Sequence, residues 1–69
     1  MRIRVENPNL LSDLCQYLTR DGCLSSPLGP SQADVAVPGA ASEWEVAQTL
    51  MMEIRLWQAR HETTLVTLG

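Results

Sequence analysis

Hydrophobic and polar residues alternate along both ends of the chain. Strict alternation over residues 1–6 is the period-two pattern of a half-buried strand. A second alternating stretch, residues 63–68, predicts a closing strand with Val66 and Leu68 turned inward. The side chains of the first strand divide between a buried and a wet side, with Met1, Ile3 and Val5 opposite Arg2, Arg4 and Glu6.

A helical pattern follows the first strand. Asn7 is a good N-cap, and Pro8 suits the first helical position because its missing N–H would be unpaired there. Gly22 supplies a left-handed stop at the other end. Apolar residues recur between these signals at helical spacing: Leu10, Leu11, Leu14, Tyr17 and Leu18.

The middle of the chain predicts a hairpin. Residues 23–28 form a short strand, which Pro27 confines to a sheet edge because proline cannot donate to a ladder. Residues 29–32 form the turn. Residues 33–37 alternate again, with Val35 and Val37 among the inward positions.

A second helix is predicted over residues 43–60. Ser42 and Glu45 form a capping box at its start, in which each side chain takes up a free backbone N–H. One stripe of this helix is apolar and predicted to face inward: Ala47, Leu50, Met51, Ile54 and Trp57.

The order β-α-β-β-α-β predicts a single α+β domain spanning residues 1–69. Because strand–helix–strand connections are right-handed, few assemblies remain, and the split arrangement puts strands one and three in the middle of a four-stranded antiparallel sheet. Both helices then cover one sheet face. This element order resembles the ferredoxin-like plait, a two-layer sandwich that hosts many unrelated functions. The chain is also similar to short bacterial proteins of GC-rich genomes.

The functional residues of four plait families are missing at the matching positions. The loop at residues 6–9 has neither the thiol pair of metal chaperones nor the arginine of acylphosphatases. The central strands have none of the aromatic residues on which RNA-recognition plaits stack bases. The glycine after strand one in amino-acid-sensing plaits is replaced by Asn7-Pro8-Asn9. The resemblance of fold therefore implies no particular activity for this chain.

Composition narrows the possible partners. The net charge of −3 argues against nucleic acid, which needs a basic surface. No apolar stretch approaches the ~20 residues of a membrane span, and no apolar run of signal-peptide length begins the chain. We therefore expect a cytoplasmic protein with neither nucleic-acid nor membrane partners.

No catalytic, metal-binding or cofactor site is predicted. Cys15 and Cys23 are either a redox pair or, as we favour, two small semi-buried hydrophobes. His61 is the only histidine, with no carboxylate or nucleophile placed beside it by a motif. We expect it to face water at a helix end.

The candidate functional surface is the sheet face without helices. Trp44, in the first turn of the second helix, is either packed against the fold or exposed as a contact anchor. Two alternatives remain for the open sheet face. It is either ordinary solvent-exposed surface or a patch that is self-complementary across a two-fold axis. The residues expected on it are Arg2, Arg4, Glu6, Asp34, Ala36, Leu65 and Thr67.

We therefore predict a non-enzymatic interaction or regulatory module. Its partner is a second copy or another protein, met through the open sheet face or the edge strands. The alternative is a small-molecule-binding regulatory domain with its ligand at a subunit junction. A minimal enzyme using His61 or Cys23 is a third possibility. The interaction residues are Arg2, Arg4, Asp34, Trp44 and Leu65.

Overall fold

The computed structural model describes residues 1–61 and 66–68. Positions 63–65 of the predicted last strand, Leu65 among them, lie outside the described residues. Within the described part, the predicted order of two helices and four strands is confirmed. The elements are β1 (Arg2–Val5), a 3₁₀ turn (Pro8–Leu10), α1 (Leu11–Arg20), β2 (Leu24–Pro27), β3 (Gln32–Ala36), α2 (Glu43–Gln58) and β4 (Val66–Leu68).

The four strands form one antiparallel sheet in the order β2-β3-β1-β4. β1 and β3 lie in the middle, and the proline-bearing β2 lies at an edge, as predicted. Strand alternation sends one set of side chains toward the helices. Ile3, Val5, Ala33 and Val35 are buried in a common core with residues of both helices, whereas the intervening residues of β1 and β3 are exposed or half-buried. The fold is thus the predicted two-layer α+β sandwich.

The first helix begins later than predicted. Asn7 caps the chain by accepting the Asn9 N–H on its Oδ1 at 3.0 Å, but Pro8–Leu10 winds as a tighter 3₁₀ turn before α1 begins at Leu11. The predicted stop is confirmed. Gly22 has φ of 95°, and the Cys23 N–H bonds back to the Leu18 carbonyl at 2.9 Å. This pair of features is a Schellman ending, which favours glycine because its left-handed conformation strains other residues.

The second helix is capped by both predicted side chains. Ser42 Oγ accepts the Glu45 N–H at 3.3 Å, and Glu45 Oε2 accepts the Ala41 N–H at 2.8 Å. Leu50, Ile54 and Trp57 of α2 are buried as predicted. Met51 is not: it is 39% exposed. Because each helical residue turns by about 100°, Met51 lies too far around the axis from Leu50 to share its face.

Candidate functional site

The open sheet face brings Arg2, Arg4 and Asp34 together. Arg2 lies directly across from Asp34 on neighbouring central strands, and Arg4 lies across from both Gln32 and Thr67. Both arginines and Asp34 are exposed. Asp34 Oδ1 is 3.5 Å from the Met1 ammonium, yet the Asp34 side chain stays 64% exposed. The predicted cluster therefore exists as a charged, hydrated centre of this face.

Trp44 is the predicted interaction residue with the clearest structural outcome. It lies in the first turn of α2 with 70% of its surface exposed, whereas Trp57 on the same helix is 1% exposed. The alternative in which Trp44 packs against the fold is thus wrong. An exposed tryptophan leaves a large apolar ring in water, so burial of this ring in a complex would be favourable.

Trp44 belongs to a larger apolar surface that the sequence analysis missed. We call it the outer face of α2 and define it by Trp44, Met51, Met52 and Leu56. Met52 is 59% exposed and Leu56 is 57% exposed. Counted from Leu50, Met51 and Trp44 lie about 100° and 120° around the helix axis and Met52 and Leu56 about 200° and 240°. The four residues are therefore spread over the exposed side of α2 and do not form one narrow stripe opposite Leu50.

The outer face of α2 is shallow and includes polar side chains among the apolar ones. A depression of about 400 Å³ is lined by Met51, Met52 and Leu56 together with Gln48 and Arg55. Glu43 and Glu45 lie in the first turn of the helix, and Arg55 lies in the last. Because Gln48 and Arg55 line the depression itself, this face mixes apolar side chains with polar and charged ones.

His61 occupies a different environment from the one predicted. Its Nε2 is 3.1 Å from Asp13 Oδ2, and its ring lies 4.5 Å from the Trp57 ring centroid. Trp57 Nε1 donates to the same Asp13 oxygen at 2.8 Å. Asp13 was not singled out in the sequence, because no local spacing connects it with residues 44 and 48 positions further along. The Asp13 carboxylate of α1 thus holds the C-terminal end of α2 in place through these two contacts.

A small depression of about 150 Å³ opens beside this His61–Asp13–Trp57 cluster. Gln16, Tyr17, Arg20 and Arg60 line its remaining walls. In the part of the chain that the structure describes, no group of three or more His, Cys, Asp or Glu side chains is placed to hold a metal ion. The contacts of this cluster join α1 to the C-terminal end of α2, so the geometry supports a structural role for it.

Glu53 forms a second polar cluster between the helices. Its carboxyl hydrogen-bonds with Asp21, which raises its pKa, and its burial and the negative charge of Asp21 raise it further. Its Oε2 atom is shut off from solvent with no hydrogen-bond partner among residues 1–61 and 66–68. Partial burial and the charges of Glu53 and Asp21 likewise raise the pKa of the Tyr17 phenol. Ionised Glu53 is therefore unfavourable in the folded chain.

Replacing Glu53 with glutamine should stabilise the fold at neutral pH. A glutamate whose folded pKa is raised contributes most stability below its ordinary value of 4.5 and loses that contribution as pH rises through the folded pKa. Glu53→Gln should therefore raise the melting temperature at pH 7, and the gain should vanish in acid.

Thermal unfolding from acid to neutral pH measures this effect. The control is Glu43→Gln, which removes an exposed carboxylate from the first turn of the same helix. It should slightly lower stability at neutral pH, since a negative charge there complements the helix dipole. A Glu53→Gln gain of the same size at every pH would contradict the account.

The two cysteines are both free and buried. Burial raises the pKa of the Cys23 thiol, as do the charges of Glu53 and Asp21. A thiol held in its protonated form is a poor nucleophile. Both side chains are buried in the core, as the favoured interpretation of them as small hydrophobes expects.

A wider groove runs between α1 and the edge strand β2. It encloses about 780 Å³ and is open to solvent along its length. Ser25 Oγ lies 3.2 Å from Thr19 Oγ1 and donates to the Cys15 carbonyl at 3.3 Å, so these polar groups are already occupied in holding β2 to α1. Its walls mix apolar and polar side chains: Pro8, Leu11, Ser12, Cys15, Gln16, Thr19, Arg20, Ser25, Pro27 and Pro30.

The described helices are too short or too polar to cross a lipid bilayer. Comparison of the chain with protein-family models, with curated proteins and with solved structures found no match. The function proposed below therefore rests on the geometry of the chain itself.

Proposed function

We propose that this chain is a non-enzymatic protein-interaction module that self-associates. Its contact surface is the outer face of α2, with Trp44 as the anchor. The proposal keeps the predicted function and Trp44, and it moves the contact from the open sheet face to the helix. The free, buried Cys15 and Cys23 suit a reducing cytoplasm, where we place the protein.

The observation that carries the proposal is the exposure of four large apolar side chains on one side of one helix. Small soluble domains scatter such residues singly, whereas several of them on the exposed side of one helix favour an interaction site. Trp44, Met52 and Leu56 are each more than half exposed. Tryptophan is enriched among residues that dominate binding energy, and methionine adapts its shape to a partner.

The open sheet face is the weaker contact. Its centre is the charged group Arg2, Arg4 and Asp34, and burying charges costs free energy that only well-formed pairs offset. Among the residues that the structure describes, its large apolar side chain is Leu24, 64% exposed on the edge strand β2. Pro27 ends β2 without an N–H to donate, so an added strand would pair poorly at that edge.

Light scattering behind a sizing column, across a series of protein concentrations, tests the proposal. The mass should rise with concentration from the 7.6 kDa of one chain toward twice that value. Arg4→Glu, in the centre of the open sheet face, should leave the midpoint of this rise unchanged. A wild-type mass of one chain at every concentration would contradict self-association. A large shift caused by Arg4→Glu would return the contact to the sheet.

A second candidate function is a small-molecule-binding regulatory domain, for which the α1–β2 groove is the favouring observation. Its volume falls within the range of roughly 300–1,000 Å³ occupied by small ligands. A ligand that binds only the folded chain raises its melting temperature. A thermal-shift screen of amino acids and nucleotides tests this candidate, and a screen without any shift would argue against it.

A further inference from the structure

We infer that the partner is a second copy of this chain, docked so that the two α2 helices run antiparallel about a two-fold axis. This inference rests on the proposed function and adds the orientation of the contact. It is drawn from the distribution of charge along α2, which differs between its two ends. The outer face of α2 supplies the apolar contact in either orientation.

Charge on the outer face of the helix is segregated. Glu43 and Glu45 lie in the first turn and Arg55 lies in the last, whereas Glu53 turns away from this face toward Tyr17 and Asp21. The outer face between these ends is uncharged, with Gln48, Met51 and Met52 in the middle. A helix of 16 residues is about 24 Å long, so the acidic and basic ends are separated by most of that length.

Both parallel and antiparallel helix pairs satisfy two-fold symmetry, and the charges decide between them. A parallel pair would set Glu45 beside Glu45 and Arg55 beside Arg55, and would also align the two helix dipoles side by side. An antiparallel pair sets the acidic end of each copy beside the basic end of the other. Charge complementarity of this kind fixes the relative orientation of partners and suppresses the alternative.

The antiparallel arrangement also accounts for the apolar residues. Trp44 and Leu56 lie at the two ends of the outer face, so the middle of that face falls near Gln48 and Met52. An axis passing there places Trp44 of each copy alongside the C-terminal half of the other α2, where Arg55 and Leu56 are exposed. A cation against the face of a tryptophan ring adds a favourable contact.

The expected affinity is modest. Stable interfaces cover about 800 Å² on each partner, and the whole chain exposes 4511 Å². One helix face provides only part of such an area, so the dissociation constant should be micromolar. Association would then respond to concentration and to single charge changes.

Charge reversal tests the orientation. Arg55→Glu alone and Glu45→Arg alone should each weaken self-association about tenfold, because each sets like charges opposite each other. An equimolar mixture of the two variants should form a heterodimer at least as tight as the wild-type homodimer. The control Glu45→Gln keeps an oxygen for the Ala41 N–H and should have a smaller effect than Glu45→Arg.

A cysteine cross-link provides a second readout that leaves Glu45 in place. Ala59 is exposed just beyond the end of α2. In an antiparallel pair two Ala59→Cys residues lie at opposite ends and should not join, whereas Ala41→Cys mixed with Ala59→Cys should. Rapid joining of Ala59→Cys with itself, or a charge-reversed mixture no tighter than its parts, would overturn the orientation. A wild-type chain that never dimerises would instead remove the proposed function as well.

Discussion

Replacing Trp57 with alanine should unfold most of the protein at room temperature. Trp57 is 1% exposed in the core, and its Nε1 donates to Asp13 at 2.8 Å. Truncating a buried tryptophan costs about 3–5 kcal/mol. A single core in a chain of this length rarely supplies more than about 3–5 kcal/mol of stability, so the loss is as large as the total. Loss of the ring also removes the surface against which His61 packs.

Far-ultraviolet circular dichroism and urea titration measure this effect. Trp44→Ala is the matched control, because it makes the same change on the same helix at a site that is 70% exposed. Its cost to folding should be within about 0.5 kcal/mol. Both variants should be measured at low concentration, since dimerisation itself stabilises the folded chain. A Trp57→Ala protein with a full cooperative transition would contradict the described core.

Trp44→Ala should weaken self-association by about 2 kcal/mol or more, roughly a thirtyfold increase in dissociation constant, as expected of an anchor residue. The variant loses the largest exposed side chain on the outer face of α2 while the buried face of the helix stays intact. Mass against concentration gives the dissociation constant. Trp44→Ala thus spares folding and weakens association, whereas Trp57→Ala removes the fold on which association depends.

Leu24→Ser is the control for this experiment. Leu24 is 64% exposed on the edge strand β2, so its replacement also removes an exposed apolar side chain, but from the sheet. We expect it to leave the dissociation constant unchanged. An equal loss in Leu24→Ser and Trp44→Ala would show that association depends on exposed apolar area in general.

The fold could be predicted from local patterns because a few neighbouring residues mark the position of each helix and strand. Alternation at residues 1–6 gave β1, Asn7 and Gly22 bracketed the first helix, and Ser42 with Glu45 marked the start of α2. Pro27 assigned β2 to an edge. Errors were confined to details that depend on packing, such as the 3₁₀ turn at Pro8–Leu10.

The functional surface was harder to predict because exposure is a property of the assembled fold. The inward stripe of α2 was assigned by spacing, and Met51 fits that spacing nearly as well as Leu50. Only the position of the sheet decides which side of the helix is covered. Helical angles of about 100° per residue place Met52 and Leu56 on the far side of the axis from Leu50, and Trp44 about a third of a turn from it. Asp13 could not be paired with His61, since only the packing of α1 on α2 brings them together.

Acrylamide quenching of tryptophan fluorescence across a concentration series tests the central claim, that self-association buries the outer face of α2. Trp57 is buried in the single chain, so the quenchable emission comes from Trp44. We predict that quenching falls, over the same concentrations at which the mass doubles. A mass that doubles while Trp44 remains equally quenchable would contradict the claim and place the contact on another surface.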